Sequence, residues 1–300
     1  MGVHFTRIWD FEKEEILSLI ERAIEIKKNG GSEKEFSGKI LGLIFEKPST
    51  RTRVSFEAAM MRLGGNTIFL PTQNLQLSRG EPIKDTARVL SRYLHALVLR
   101  TYSQATIEEF AKYSQIPIIN GLSDRFHPCQ ILSDFMTILE SGKDPFKTGV
   151  VWIGDGNNMA NSWIELAAIL GFPLIIACPE GFDPDKEVLE QAKKRFSAKI
   201  EVLRDPKKAI KGAEIINTDV WTSMGQEEEE KLRKKAFKEF QLNKELLSLA
   251  HPEAIVLHCL PAHRGEEITE DVLEGPNSVV WDQAENKMWL HMALLEYLIK

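Results

Sequence analysis

The sequence predicts an α/β protein of two domains, each a mainly parallel sheet flanked by helices. Three observations predict it. Short apolar runs alternate with amphipathic stretches along the chain. The 300 residues are about twice a typical ~150-residue domain. The alternation also falls into two series, divided by Ser-Gly-Lys-Asp-Pro at 141–145.

The first series opens with Lys39-Ile-Leu-Gly-Leu-Ile-Phe45, a buried strand. A helix over 51–63 follows and is closed by Gly64-Gly65 in the C-cap position. A strand over 66–70, a helix over 82–94, a strand over 96–100, a helix over 107–113 and a strand over 117–120 come next. A longer helix is predicted over 128–139. The second series starts at Val150-Val-Trp-Ile-Gly154, with its helix over 159–170. A strand over 174–178, a helix over 185–195, and strands over 200–203, 214–217 and 254–258 continue it. A strong helix over 285–298 ends the chain. The run Gln226-Glu-Glu-Glu-Glu-Lys-Leu-Arg-Lys-Lys235 reads as a solvated helix with its charges matched to the helix dipole.

Several function classes are excluded early. No stretch approaches the ~20 apolar residues of a membrane helix. The formal net charge of −6 gives nucleic-acid binding no electrostatic support. The 3 cysteines, Cys129, Cys178 and Cys259, form no CxxC pair, which suits a reducing compartment and neither a disulfide framework nor a zinc site. The N-terminus has no apolar signal core, so a cytoplasmic location is expected. There is no HExxH, GxSxG or GxxxxGK[ST] segment.

Open α/β sheets bind ligands beyond the carboxyl ends of their strands, and polar residues collect there. Ser49-Thr50-Arg51-Thr52-Arg53 follows a strand and opens a helix. Two hydroxyls near the N-cap, free backbone N–H groups and two arginines make it a candidate phosphate site, or simply a capped helix with solvated arginines. His127-Pro128-Cys129-Gln130 enters another helix, with His127 able to donate to a carbonyl oxygen and Gln130 able to accept from an amide. After later strands come His258-Cys259-Leu260-Pro261 and Asn217-Thr-Asp219-Val-Trp-Thr-Ser223-Met224-Gly225. There Cys259 is either a small buried hydrophobe or a working thiol, and Asp219 either pairs with a cation or belongs to a turn. Gly154-Asp-Gly156 starts like a dinucleotide fingerprint, but Met159 replaces its third glycine. The amides of Asn157 and Asn158 at that helix start suit a carboxylate instead.

STRTR at 49–53, HPCQ at 127–130 and HCLP at 258–261 stand in the order and at the spacings of the aspartate/ornithine carbamoyltransferases. The resemblance covers essentially the whole chain. DVWTSMG at 219–225 resembles the amino-acid loop of the ornithine-specific branch, whereas an aspartate-specific relative would carry HPTQ and PLPR-type segments.

The resemblance implies transfer of the carbamoyl group of carbamoyl phosphate to the δ-amine of L-ornithine, in arginine biosynthesis or in the reverse, catabolic direction, with putrescine or an acylated ornithine as alternative acceptors. It implies a carbamoyl-phosphate domain over 1–145 on which the C-terminal helix, 284–300, packs back, and an ornithine domain over 146–283. The active site is expected in the cleft between them, without metal or organic cofactor, in a homotrimer or an assembly of trimers. Carried over by position, Ser49, Thr50, Arg51, Thr52, Arg100, His127 and Gln130 hold carbamoyl phosphate, with Cys259 and Leu260 of HCLP. Gln76 serves the neighbouring subunit's site. Asn158, Asp219, Ser223 and Met224 hold ornithine, and Arg100, His127 and Cys259 are the catalytic set. Lys287 stands where the family usually has arginine; it keeps the charge and loses the planar fork.

Overall fold

The computed structural model describes residues 3–33, 35–222 and 227–299. It divides into two compact units, Met1–Met136 with Asn286–Lys300, and Thr137–Glu285.

The first unit opens with α1 (Lys13–Lys28), whose Ile16, Leu19, Ile20, Ala23 and Ile26 form one buried stripe at helical spacing. Glu14 and Glu15 stand in its first turn and Lys27 and Lys28 in its last, each sign matched to the helix dipole. Then come β1 (Ile40–Phe45), α2 (Thr50–Arg62), β2 (Asn66–Pro71), α3 (Ile83–Leu90), β3 (Ala96–Arg100), α4 (Gln104–Tyr113), β4 (Ile118–Leu122) and α5 (Pro128–Glu140). All strand pairs are parallel, in the order β2-β1-β3-β4. The central strands are covered on both faces and read as continuous apolar runs, whereas edge strand β2 is only partly buried. Ile44, Leu97, Leu99, Ile107, Phe110 and Ile118 pack into one core cluster.

The second unit holds α6 (Pro145–Thr148), β5 (Val150–Ile153), α7 (Asn158–Leu170), β6 (Leu174–Ala177), α8 (Lys186–Phe196), β7 (Ile200–Leu203), α9 (Pro206–Ile210) and β8 (Ile215–Thr218). It continues with α10 (Glu230–Ala236), α11 (Lys244–Leu247), β9 (Ile255–His258), α12 (Glu270–Leu273) and the start of α13 (Val280–Leu298). Its five strands are also parallel, in the order β7-β6-β5-β8-β9. Val151, Ile153, Ile216 and Val256 form one core with Trp221, Phe237 and Phe240.

The strand orders decide where ligands go. The first sheet grows from β1 outward to β2, then reverses to β3 and β4, so its switch point lies between β1 and β3. The second reverses between β5 and β8. A parallel sheet leaves a crevice at such a reversal, beyond the strand carboxyl ends, because the helices on either side diverge to opposite faces.

Candidate active site

In the first unit, Ser49 caps α2, its Oγ accepting the Thr52 N–H at 3.3 Å. Thr50 is exposed and Arg51 half-buried in the first turn, where unpaired N–H groups and the helix dipole favour an anion. On the other side of the switch point, Arg100 ends β3 and is buried. The register against β4 shifts between Leu99 and Arg100, a bulge of the kind that re-aims a side chain.

Lys287 reaches this crevice from α13. Its ammonium donates to Thr52 Oγ1 at 3.0 Å and to Gln130 Oε1 at 2.8 Å. Gln130 in turn donates through Nε2 to the buried Asp134 carboxylate at 2.8 Å, which fixes the amide with its oxygen toward the lysine. Beside them His127 is buried, and its pKa lies well below the usual imidazole range, first because of burial and then because of the positive charges of Lys287 and Arg100. His291, one turn after Lys287, is buried and stacks on Phe56, its pKa likewise pushed down by burial and by Lys287. Two cations and neutral imidazoles thus converge where a phosphate would enter. Gln76 stands apart, exposed on the 3-10 turn Gln76–Arg79.

In the second unit, Asn157 caps α7, its Oδ1 accepting from Met159 N at 3.0 Å and Ala160 N at 3.3 Å. Asn158 follows, half-buried, as the first helical residue. Gly156 admits no side chain, since a Cβ there would lie 2.2 Å from the Asp183 carbonyl carbon. The protein's own backbone therefore occupies the approach that a dinucleotide's pyrophosphate uses in the glycine-rich fingerprint. Across the switch point Asp219 is buried just past β8, and burial raises its pKa, the mark of a carboxylate short of a cation. Ser223 and Met224 lie outside the described residues.

The Cys259 thiol donates to Asp219 Oδ1 at 3.1 Å. Leu260 has a left-handed backbone, φ 58°, and its N–H donates to His258 Nδ1 at 2.9 Å. That bond leaves the ring proton on Nε2, which donates to Glu267 Oε1 at 2.9 Å. Glu267 Oε1 also accepts the His263 N–H at 2.7 Å, and Gln283 Oε1 accepts the His258 N–H at 2.9 Å. Glu267 and Gln283, both buried, thus shape the turn that carries Cys259 and Leu260. Neither is singled out by sequence, since they join His258 only in the folded chain. The ligand atoms of Asp219, His258 and Cys259 lie within 4.8 Å of one another. Both His258 nitrogens are committed to the turn, so a metal would have to displace one of those bonds.

The solvated-helix reading of 226–235 needs correction at one residue. Glu230, Lys231, Leu232 and Lys235 are exposed, but Arg233 is only 6% exposed and pairs with buried Asp155 at 2.8 Å. One short helix so placed has a solvated face and a buried arginine on the other.

Comparison with known proteins gives these crevices a family. Residues 3–140 match the carbamoyl-P binding domain of aspartate/ornithine carbamoyltransferase, and residues 147–298 match its Asp/Orn binding domain. The chain is 56% identical to the ornithine carbamoyltransferase of Desulfotalea psychrophila over 299 residues, 99% of each chain. It is 51% identical to that of Geobacter metallireducens, with 100% of both covered. The solved ornithine carbamoyltransferase of Pyrococcus furiosus superposes with a TM-score of 0.93 at 48% identity, covering 99% of this chain and 97% of that one. The anabolic ornithine carbamoyltransferase of Campylobacter jejuni superposes with a TM-score of 0.92 at 43% identity, covering 99% of each. With both domain types matched in order, and such likeness in sequence and fold, the chain belongs to the aspartate/ornithine carbamoyltransferase family.

Proposed function

We propose that the chain is an ornithine carbamoyltransferase, transferring the carbamoyl group of carbamoyl phosphate to the δ-amine of L-ornithine to give L-citrulline and phosphate. The observation that carries this reading is the opposite charge at the two switch points. Lys287 and Arg100 offer buried cations to a phosphate, and Asp219 offers a buried carboxylate to an amino acid's ammonium. The full-length relatives that carry the name support it.

The phosphate sits at the N-terminus of α2 on Ser49, Thr50, Arg51 and Thr52, with Lys287 beside it. Arg100, His127 and Thr52 polarise the carbonyl oxygen and stabilise it as the tetrahedral intermediate forms, commonly the largest single catalytic effect. Gln130 and Leu260 hold the carbamoyl amide. In the second unit Asp219 takes the α-ammonium, and Asn158, Ser223 and Met224 take the rest of ornithine. A δ-amine with a lysine-like pKa near ~10.4 costs roughly 4–5 kcal/mol to deprotonate at pH 7. The α-ammonium fixed nearby lowers that pKa. Cys259, already bonded to Asp219, orients the amine and forms no covalent intermediate. The amine attacks the carbonyl carbon, the C–O bond to phosphate breaks, and the departing phosphate takes the surplus proton. Phosphate is a good leaving group, so this chemistry calls for neither metal nor organic cofactor.

The active species is a homotrimer or an assembly of trimers, in which exposed Gln76 serves a neighbouring copy. Exposed Val54, Met61 and Ile68 in the same unit support such an interface. The enzyme acts in the cytoplasm in arginine synthesis, and Cys129, Cys178 and Cys259, none of them in a disulfide, suit a reducing compartment.

The test is product formation from carbamoyl phosphate with ornithine, putrescine and aspartate offered in parallel. Turnover with ornithine alone is expected, and turnover with putrescine in preference would overturn the role of Asp219.

A further inference from the structure

Arg233 is a buried charge that the reaction just described does not use. Its Nη1 donates to Asp155 Oδ2 at 2.8 Å and to the Trp221 carbonyl at 2.9 Å, and its Nε donates to Glu229 at 3.1 Å. The guanidinium lies over the Phe182 ring, 5.0 Å from its centroid. One side chain therefore ties the end of β5 to the segment beyond β8, two residues after Asp219.

That geometry has an electrostatic meaning. Asp155 and Asp219 flank the same switch point, one after β5 and one after β8, both buried. Burial, against the opposing pull of Arg233 and with a further push from the negative charge of nearby Asp219, raises the Asp155 pKa to about 6. Two carboxylates in one crevice compete for a single ammonium. A guanidinium bonded to one of them removes that competition and leaves the other to the substrate.

We propose that Arg233 is a positioning residue for the amino-acid substrate: by sequestering Asp155 and holding the Trp221 carbonyl, it keeps Asp219 as the carboxylate offered to the substrate's α-ammonium. The inference rests on the ornithine reading above and assigns to Asp155 and Arg233 a role as a matched pair. Without Arg233, Asp155 becomes a rival anion. Without Asp155, the guanidinium is drawn to Asp219 and neutralises it. Removing both charges restores a crevice with one carboxylate.

The experiment is a charge cycle on the full-length protein, using Arg233→Met, Asp155→Asn and the double variant, with KM for ornithine, KM for carbamoyl phosphate and kcat measured for each. Each single variant is expected to raise the ornithine KM roughly ten- to a hundredfold, with a smaller change in the carbamoyl phosphate KM. The double variant is expected to recover most of the loss in the ornithine KM, whereas a purely structural role would move both KM values and kcat together. Arg233→Lys, which keeps the charge and loses the fork, is expected to fall between wild type and Arg233→Met. If Arg233→Met does not fold, Asp155→Asn and the double variant decide by the same comparison. A double variant no better than the worse single one, or single variants that lower kcat with an unchanged ornithine KM, would overturn the proposal. Wild-type protein that fails to turn over ornithine would instead overturn the ornithine reading, so the two failures are distinguishable.

Discussion

Replacing Lys287 by methionine separates what the buried cation does for the fold from what it does for the ligand. Lys287 is 4% exposed and bonded to Thr52 and Gln130. Burying an ammonium costs several kcal/mol, and two hydrogen bonds from a charged donor return about 1.5–3 kcal/mol each. Methionine fills similar volume and escapes the desolvation cost, while Gln130 Oε1 loses a donor, worth about 1–3 kcal/mol. These effects oppose one another, so the ligand-free variant should unfold within about 2 kcal/mol of wild type. Ligand binding has no such cancellation. One unit charge at about 4 Å, with an effective dielectric constant near 20, attracts an anion by about 4 kcal/mol, close to a thousandfold in affinity. The assay is thermal unfolding with and without a non-hydrolysable phosphonate analogue of carbamoyl phosphate. Ligand at ~100 times its wild-type Kd stabilises the native state by about 2.7 kcal/mol, and Lys287→Met should lose nearly all of that shift while its ligand-free Tm changes little. An unchanged ligand-induced shift would refute the reasoning and make Lys287 a structural residue. So would a large loss of ligand-free stability with affinity intact.

Three further outcomes are expected. Glu267→Ala removes the acceptor shared by His258 Nε2 and the His263 N–H, leaving one buried and one part-buried donor unpaired. It should lower stability by about 2–5 kcal/mol in denaturant unfolding and lower kcat by loosening the turn at Leu260. His127 and His291 both have folded pKa values well below 6.5. The unfolded chain therefore binds more protons below that pH, and their contribution is complete above 6.5 and lost as pH falls, by about 1.4 kcal/mol per pH unit for each ring. The raised pKa of Asp155, about 6, acts in the opposite sense, favouring the fold as pH falls through 6. The clean measurement is thus wild type minus His291→Gln, whose difference in urea midpoint should grow steadily below pH 6.5. Gly156→Ala forces a Cβ onto the backbone at 183–184. It should cost about 1–3 kcal/mol in thermal unfolding and raise the ornithine KM by displacing Asp155.

The alternation of strand and helix, and the polar residues at strand ends, were legible because each rests on local pattern. STRTR could be read as a helix entry from its own residues, and the structure caps α2 with Ser49. Other features were written locally and passed over. In α1 the stripe of Ile16, Leu19, Ile20, Ala23 and Ile26 has helical spacing with dipole-matched ends, yet it precedes the first strand and so stands outside the strand–helix alternation. Arg233 was hidden for a different reason. Its neighbours are a run of glutamates and lysines, and only the tertiary fold sets Asp155 opposite it, 78 residues away along the chain. Glu267 and Gln283 are of the same kind, polar residues whose partners come from distant segments. Lys287 stood out through family likeness alone, because nothing in Gln-Ala-Glu-Asn-Lys marks it as the donor to Thr52, 235 residues earlier.

The first unit is discontinuous in sequence, and that has a consequence for how the protein comes into being. Thr52, His127 and Gln130 leave the ribosome early, but Lys287 belongs to the closing segment Asn286–Lys300, made only after the whole of Thr137–Glu285. At about 5–20 residues per second, synthesis of that intervening unit takes roughly seven to thirty seconds. During this interval the early crevice has its hydroxyls and imidazole but not the ammonium that fills it. A nascent chain can therefore build its first sheet with Arg51 and Arg100 in place and still lack the second buried cation, so a full grip on the anion waits for the segment that carries Lys287.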